Sequence, residues 1–186
     1  MINDGNSVAC AAMQAWAGVM LSCAALLIVS AIPKIRQPTA TIVALRTVGL
    51  RWVGPRTVRA LGGAELAAGT AAVVVGGRWA DAAVAALYAG FSLFLVKALR
   101  TPAASCGCAG RDDTPPGIAH LVMTIGFAAG AVAAVVAGGQ TGVITLAGSG
   151  SATHLALAIG FAGVATWLGW SILTFGFAAP VPSGSL

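Results

Sequence analysis

Five apolar runs separated by short polar or basic connections set the pattern of this chain. The first, about Cys10 to Ile32, carries no charge and is interrupted only by Gln14, Ser22 and Ser30. At ~1.5 Å per residue it is long enough for the roughly 30 Å hydrocarbon core of a bilayer. Pro33-Lys34 is expected to close it. A second, Gly- and Ala-rich run covers 59–76 and contains Glu65; a tight turn on Gly77, Arg78 and Asp81 follows. The third covers 82–99 and ends on Lys97 and Arg100, whose long stems can carry their charges to the interface. The fourth covers 118–138, and a Gly/Ser/Thr-rich linker leads to the fifth, 154–177, which starts at His154. Trp167 and Trp170 stand toward the far end of that run, as interface anchors do.

The pattern predicts an all-α integral membrane protein, a bundle of about five transmembrane helices at 10–177 between tails 1–9 and 178–186. There are no duplicated halves. Between the first two runs lies a basic connection in which Ile42, Leu45, Gly49 and Trp52 recur near helical spacing. Thr39 to Val53 is therefore expected as an amphipathic segment in the headgroup region, with an irregular loop as the alternative. Gly126-x-x-x-Gly130, continued by Ala134, gives the fourth run a small-residue stripe suited to close helix approach.

Composition agrees with a membrane frame. Charged residues make up 8% of the chain and apolar ones 58%. An ordinary soluble domain carries roughly 25% charged residues, so too little polar surface exists to cover a water-soluble particle. The net charge of +5 does not point to nucleic acid, because no basic face has interleaved aromatics. Met1 to Ser7 has no Lys or Arg and carries Asp4, so the first run is expected to stay as a span rather than be cleaved as a signal peptide.

Charge also gives an orientation. Lys34, Arg36, Arg46, Arg51, Arg56, Arg59, Lys97, Arg100 and Arg111 fall on one side, and Arg78 alone on the other. By the positive-inside rule the N-terminus lies outside and the C-terminus in the cytoplasm of a multi-pass plasma-membrane protein.

The candidate chemistry centres on the polar island from Arg100 to Pro116, which holds Cys106-Gly107-Cys108. Extended i, i+2 Cα atoms lie about 7 Å apart, the upper edge of bridging distance. A disulfide here needs a sharp fold at Gly107, and the small strained ring would be readily reduced, as a redox shuttle requires. Lys97, Arg100 and Arg111 favour a thiolate; Asp112 and Asp113 partly oppose them. Two unpaired thiols, or half a soft-metal site for Cu(I) or Hg(II), remain open readings. His120 is a candidate third ligand, but no fourth is evident. No resident metal or cofactor is expected.

Glu65 is the second candidate, since a carboxylate inside a span is costly and by default functional. Its expected partner is Arg59 or Lys97, unless it is protonated. It serves either as a proton relay or charge partner to the thiols, or as a structural ion pair. Gly62, Ala68 and Gly69 leave room for another helix beside it. Lys34, just after Pro33, reads first as an anchor reaching for the interface, and His154 as interfacial. Cys10 and Cys23, roughly 20 Å apart along a helix, cannot bridge each other and are expected to pack as small hydrophobes.

Together these residues carry a resemblance. Ala31-x-Pro33-Lys34, Leu61-Gly-Gly-Ala-Glu65-Leu-Ala-Ala-Gly69, Tyr88, Phe91, and Arg100 followed by Cys106-Gly-Cys108-Ala-Gly110 resemble the MauE (methylamine utilisation) family of the wider DoxX-like group. The likeness covers about residues 15–138 and departs mildly at Ala109, where a Phe or Tyr often stands. It implies a four-helix core plus one further helix in a bacterial inner membrane. It also implies a thiol–disulfide oxidoreductase or maturation factor that exchanges electrons with a thioredoxin-like partner. Carried over, Cys106 and Cys108 are the redox pair, with Glu65 and Lys34 as intramembrane support. The charge count puts the cysteines on the cytoplasmic side, whereas disulfides of exported proteins form outside. Either the loop is reached from both faces, or electrons pass across the membrane, or the charge rule fails here. A membrane subunit or assembly scaffold without catalysis, with the lipid bilayer and other membrane subunits as its partners, is the alternative from another class.

Overall fold

The computed structural model describes residues 4–101, 117–138 and 142–144, and positions scattered between 156 and 171. Among these residues five helices are defined: α1 (Asp4–Arg36), α2 (Thr39–Thr47), α3 (Pro55–Val74), α4 (Arg78–Leu99) and α5 (Ile118–Val136). No strand occurs among the described residues. Among the described residues three segments are long and apolar enough to cross a membrane: Ala17–Arg36, Arg78–Leu99 and Ile118–Val136. α3 is 20 residues long, but its Gly, Ala and Thr content with Arg56, Arg59 and Glu65 keeps it out of that class. Of the fifth expected run, 154–177, only single helical positions such as Ile159 and Ala162 are described.

The four long helices run alternately up and down around a common axis, α1 against α3 and α5, and α4 against α3 and α5. Contacts fix the directions. Gly62 lies against Ala31 and Ile35, and Gly69 against Ala24 and Ile28, so α3 descends as α1 rises. Gly130 meets Val19, and the Cys23 thiol reaches the Phe127 carbonyl, so α5 also opposes α1. The core they enclose is made of Met20, Cys23, Ala24, Leu27, Ala72, Val84, Ala85, Tyr88, Ala131 and Ala134. Alanine dominates it because helices in lipid gain stability from close van der Waals approach, which small side chains permit. The outer surface is also apolar: Ile118, Val122, Ile125, Val132 and Val136 form an exposed stripe along α5. A contiguous patch of this kind belongs against lipid rather than water.

Several expectations need correction. Pro33 does not end the first helix, which continues to Arg36. A proline costs most in a helix interior, and this one stands in the last turn, where Gln37 N–H still reaches its carbonyl at 2.7 Å. The basic connection is helical only over Thr39–Thr47. Gly49 at φ +96° stops it, with Gly49 N–H bonded to Arg46 O and Leu50 N–H to Leu45 O, the paired closure of a left-handed glycine cap. The turn after α3 is made by Gly76 and Gly77, both at positive φ, whereas Arg78 and Asp81 already belong to α4. Asp81 is fully buried in that first turn, where the helix N-terminus favours a negative charge. Within the small-residue stripe of α5 Gly130 and Ala134 are buried; Gly126 is exposed, and a Cβ there would meet nothing within 4 Å among the described residues.

One consequence of this topology matters for the site. The C-terminal ends of α1 and α4 and the N-terminal ends of α3 and α5 lie at the same end of the bundle, with α2 beside them. Lys34, Arg36, Arg46, Arg51, Arg56, Arg59, Lys97 and Arg100 therefore gather at that end, and Arg78 stands at the opposite one.

Candidate functional site

At this basic end α1 and α3 bring a cation and an anion together inside the bundle. Ser30 and Lys34 stand one turn apart on α1, on the same face. Gly62, Glu65 and Gly69 share one face of α3, at spacings of three and four residues. A Cβ on Gly62 would lie 2.9 Å from Ile35 Cγ1, and one on Gly69 would lie 2.8 Å from the Ala24 carbonyl oxygen. The two glycines thus let the α3 backbone close on α1 above and below Glu65, which brings the carboxylate within reach of Lys34.

The contact is tight. Lys34 Nζ donates to Glu65 Oε1 and Oε2, both at 2.6 Å, and the Ser30 hydroxyl is shared between the Leu27 carbonyl at 3.0 Å and Glu65 Oε2 at 3.3 Å. Lys34 is 1% exposed and Glu65 2%. The Phe91 ring of α4 lies 5.1 Å from Nζ and offers its electron-rich face to the cation. Each charge would be expensive alone in this interior, and each offsets the cost of the other.

The pairing differs from what the sequence suggests. Glu65 is bound to Lys34, not to Arg59 or Lys97, both of which are exposed. Nor does Lys34 reach for the interface. Because α1 continues past Pro33, the helix turns Lys34 toward the core instead of releasing it into a loop. The readable signal was Gly62 and Gly69 around Glu65, which announce a close helix neighbour; that the neighbour is α1 comes from the packing.

Beside the pair lies a partly open cavity of about 290 Å³. Lys34 and Glu65 form its polar floor, Leu61, Leu87, Gly90, Phe91 and Phe94 its walls, and Thr41, Leu45 and Leu50 from the α2 region its end. Behind Phe91 a second cavity of about 40 Å³ lies between Ser30, Tyr88, Thr124 and Phe127. Tyr88 is buried and its hydroxyl donates to the Cys23 carbonyl at 2.9 Å, tying α4 to α1 one level below the ion pair. Its ring packs on Phe127 at 5.3 Å. Tyr88→Phe removes the hydroxyl and leaves the Cys23 carbonyl with its helical partner. A loss of about 1 kcal/mol is expected, visible as a small fall in the thermal midpoint in detergent.

Cys23 is buried in the helix core, in line with a packing role. Cys106, Cys108 and the side chain of Cys10 lie outside the described residues. The connection that carries Cys106 and Cys108 leaves α4 after Thr101 and returns at Gly117, at the end of the bundle that holds the ion pair. His120 stands in the first turn of α5, buried, and its Nε2 has no partner among the described residues. Among the described residues no group of three His, Cys, Asp or Glu side chains could hold a metal ion.

The family model described as methylamine utilisation protein MauE matches residues 11–137 of the chain. No curated protein and no solved structure matches it.

Proposed function

The chain belongs to the MauE family of methylamine utilisation proteins, and from that premise we propose that it is a membrane thiol–disulfide oxidoreductase or maturation factor. Its redox pair is Cys106 and Cys108, and it exchanges electrons with a thioredoxin-like partner. The observation that carries this reading is the buried Lys34–Glu65 pair. A lysine and a glutamate held at 2.6 Å inside an apolar bundle are retained at a cost in desolvation. They stand at the end of the bundle from which the Cys106-Gly-Cys108 connection departs.

In this reading one thiolate of the pair attacks a disulfide sulfur of the partner, forming a mixed disulfide and releasing the partner's other sulfur as a thiolate. The second cysteine then attacks the mixed disulfide from its own side. A Cys106–Cys108 disulfide forms, and the partner leaves fully reduced. Gly107 permits the sharp backbone fold that this closure needs. Lys34 and Glu65 support the exchange as a buried pair of zero net charge beside the end where the thiols stand.

The same reading makes α3 the fourth span, because the pairing of Glu65 with Lys34 removes the main objection to placing α3 in the membrane. Residues 154–177 form the fifth. The gathering of eight Lys and Arg residues at one end supports a cytoplasmic position for that end, with the N-terminus outside.

Labelling with a membrane-impermeant maleimide in intact cells and in inverted vesicles, with and without reductant, tests both parts. The thiols are expected to react only after reduction, from one face. Cys106→Ser or Cys108→Ser is expected to trap or abolish a mixed disulfide with the thioredoxin-like partner. Full partner turnover by each single variant ends the redox reading and leaves a packing subunit.

A further inference from the structure

We propose that the cavity of about 290 Å³ beside Lys34 and Glu65 takes the ring of a lipid-soluble quinone, which enters from the bilayer between α3 and α4 and accepts the electrons of the Cys106/Cys108 dithiol. The first support is the route of entry. α3 and α4 are joined by Val75–Gly77 at one end, and the cavity lies between them toward the other. Gly90 lines it, is exposed, and a Cβ there would meet nothing within 4 Å. Leu93, one turn further along α4, is 72% exposed, an apolar surface of the kind that belongs against lipid. The mouth thus opens on the apolar side of the bundle, where a ligand dissolved in the membrane arrives and one dissolved in water does not.

The second support is the chemistry of the walls and floor. The lining is apolar apart from Thr41 and the ion pair, and Phe91 and Phe94 stand with ring centroids 6.1 Å apart, offering aromatic surface to a planar ring. Lys34 Nζ has three N–H donors and Glu65 takes two. Among the described residues no oxygen or nitrogen accepts the third, which is available to a carbonyl oxygen that enters the cavity. An acyl chain would fill the apolar walls but leave that donor unused, whereas a quinone carries an acceptor at each end of a flat apolar ring. The volume lies at the small end of the roughly 300–1,000 Å³ typical of ligand pockets, which suits a single ring.

The reaction balances. The two thiols lose two electrons and two protons as their S–H bonds break and an S–S bond forms. The quinone takes both pairs and leaves as hydroquinone, with Glu65 and Lys34 passing protons to its oxygens. The exchange described above then runs in reverse: a dithiol of the thioredoxin-like partner reduces the Cys106–Cys108 disulfide and leaves as the disulfide. That reductant rests on the thiol–disulfide reading; the binding site does not.

The test is saturable binding of decylubiquinone to the full chain in lipid nanodiscs, alongside its single-turnover reduction by the dithiol form. Wild type is expected to bind one molecule per chain above the uptake of empty nanodiscs. Gly90→Leu fills the cavity without touching the ion pair and weakens binding at least tenfold, with Gly90→Ala between the two. Gly63→Leu, on a glycine of α3 that also meets nothing within 4 Å, leaves binding unchanged and controls for the added side chain. Uptake equal to that of empty nanodiscs, equal binding by wild type and Gly90→Leu, or complete displacement by excess oleoyl lipid, which marks a lipid acyl chain only, each overturns the proposal. The Cys106→Ser/Cys108→Ser chain is expected to bind the quinone without reducing it. Binding that persists while wild type forms no mixed disulfide sinks the thiol–disulfide reading and leaves the quinone site standing.

Discussion

Lys34→Met is expected to destabilise the folded chain by about 3–5 kcal/mol, because it leaves the Glu65 carboxylate buried without its cation. Glu65 is 2% exposed, and its remaining described partner is the Ser30 hydroxyl at 3.3 Å, too weak to stand in for an ammonium at 2.6 Å. Glu65→Leu is expected to cost a similar amount by stranding Lys34, with only the Phe91 ring for company. The decisive comparison is the double variant Lys34→Met/Glu65→Leu, which replaces both charges by apolar groups of similar size. It is expected to regain most of the lost stability, since such replacements of a buried pair are often neutral or better. Thermal unfolding in detergent, followed by size-exclusion chromatography, reads all three. Two equal, additive losses would show that the residues act separately and that the pair is not the unit described. Partner turnover separates the second question. A double variant that is stable yet inactive assigns the pair to function, and one that is stable and active assigns it to folding alone.

Gly69→Leu carries the next largest expected effect. The Cβ alone would stand 2.8 Å from both the Ala24 carbonyl oxygen and Ile28 Cγ1. The oxygen belongs to helix backbone and cannot turn aside, so α1 and α3 must separate. Overpacking costs about 1–3 kcal/mol in general, and this site belongs at or above the top of that range because the separation also pulls Glu65 away from Lys34. Gly63→Ala is the matched control. It sits six residues earlier on the same helix, faces outward and meets nothing within 4 Å, so the gain in helix propensity acts alone. It is expected to leave stability unchanged or raise it by about 0.5–1 kcal/mol. Equal behaviour of the two variants would mean that the α1–α3 seam is looser than described.

The residues explain why some of this was legible in advance and some was not. The apolar runs at 10–32, 82–99 and 118–138 announced α1, α4 and α5, because lipid demands that a spanning segment be apolar throughout, and that demand is written locally. Gly62 and Gly69 around Glu65 likewise announced a close helix neighbour. Which helix that was could not be read from composition. Arg59 and Lys97 were the obvious cations for Glu65, being nearer in sequence or at the end of an adjacent run, yet both point outward. Pro33 reads in the sequence as a helix end, which would leave Lys34 an interfacial anchor; only the continued turn to Arg36 rotates it inward. Gly126 and Gly130 look equivalent in sequence, but only Gly130 faces α1.

By itself, then, the sequence determined that this is a lipid-compatible helical frame of the MauE family with a polar Cys-Gly-Cys island between its third and fourth apolar runs. Local composition is enough for that, since hydropathy, glycine and proline act on the residues that carry them. The tertiary structure decided that Lys34 and Glu65 meet, that Tyr88 ties α4 to the Cys23 carbonyl, and that a cavity opens between α3 and α4 beside the pair. These depend on the rotation and depth of each helix against its neighbours, which are set by packing across the whole bundle and are not a property of any one run.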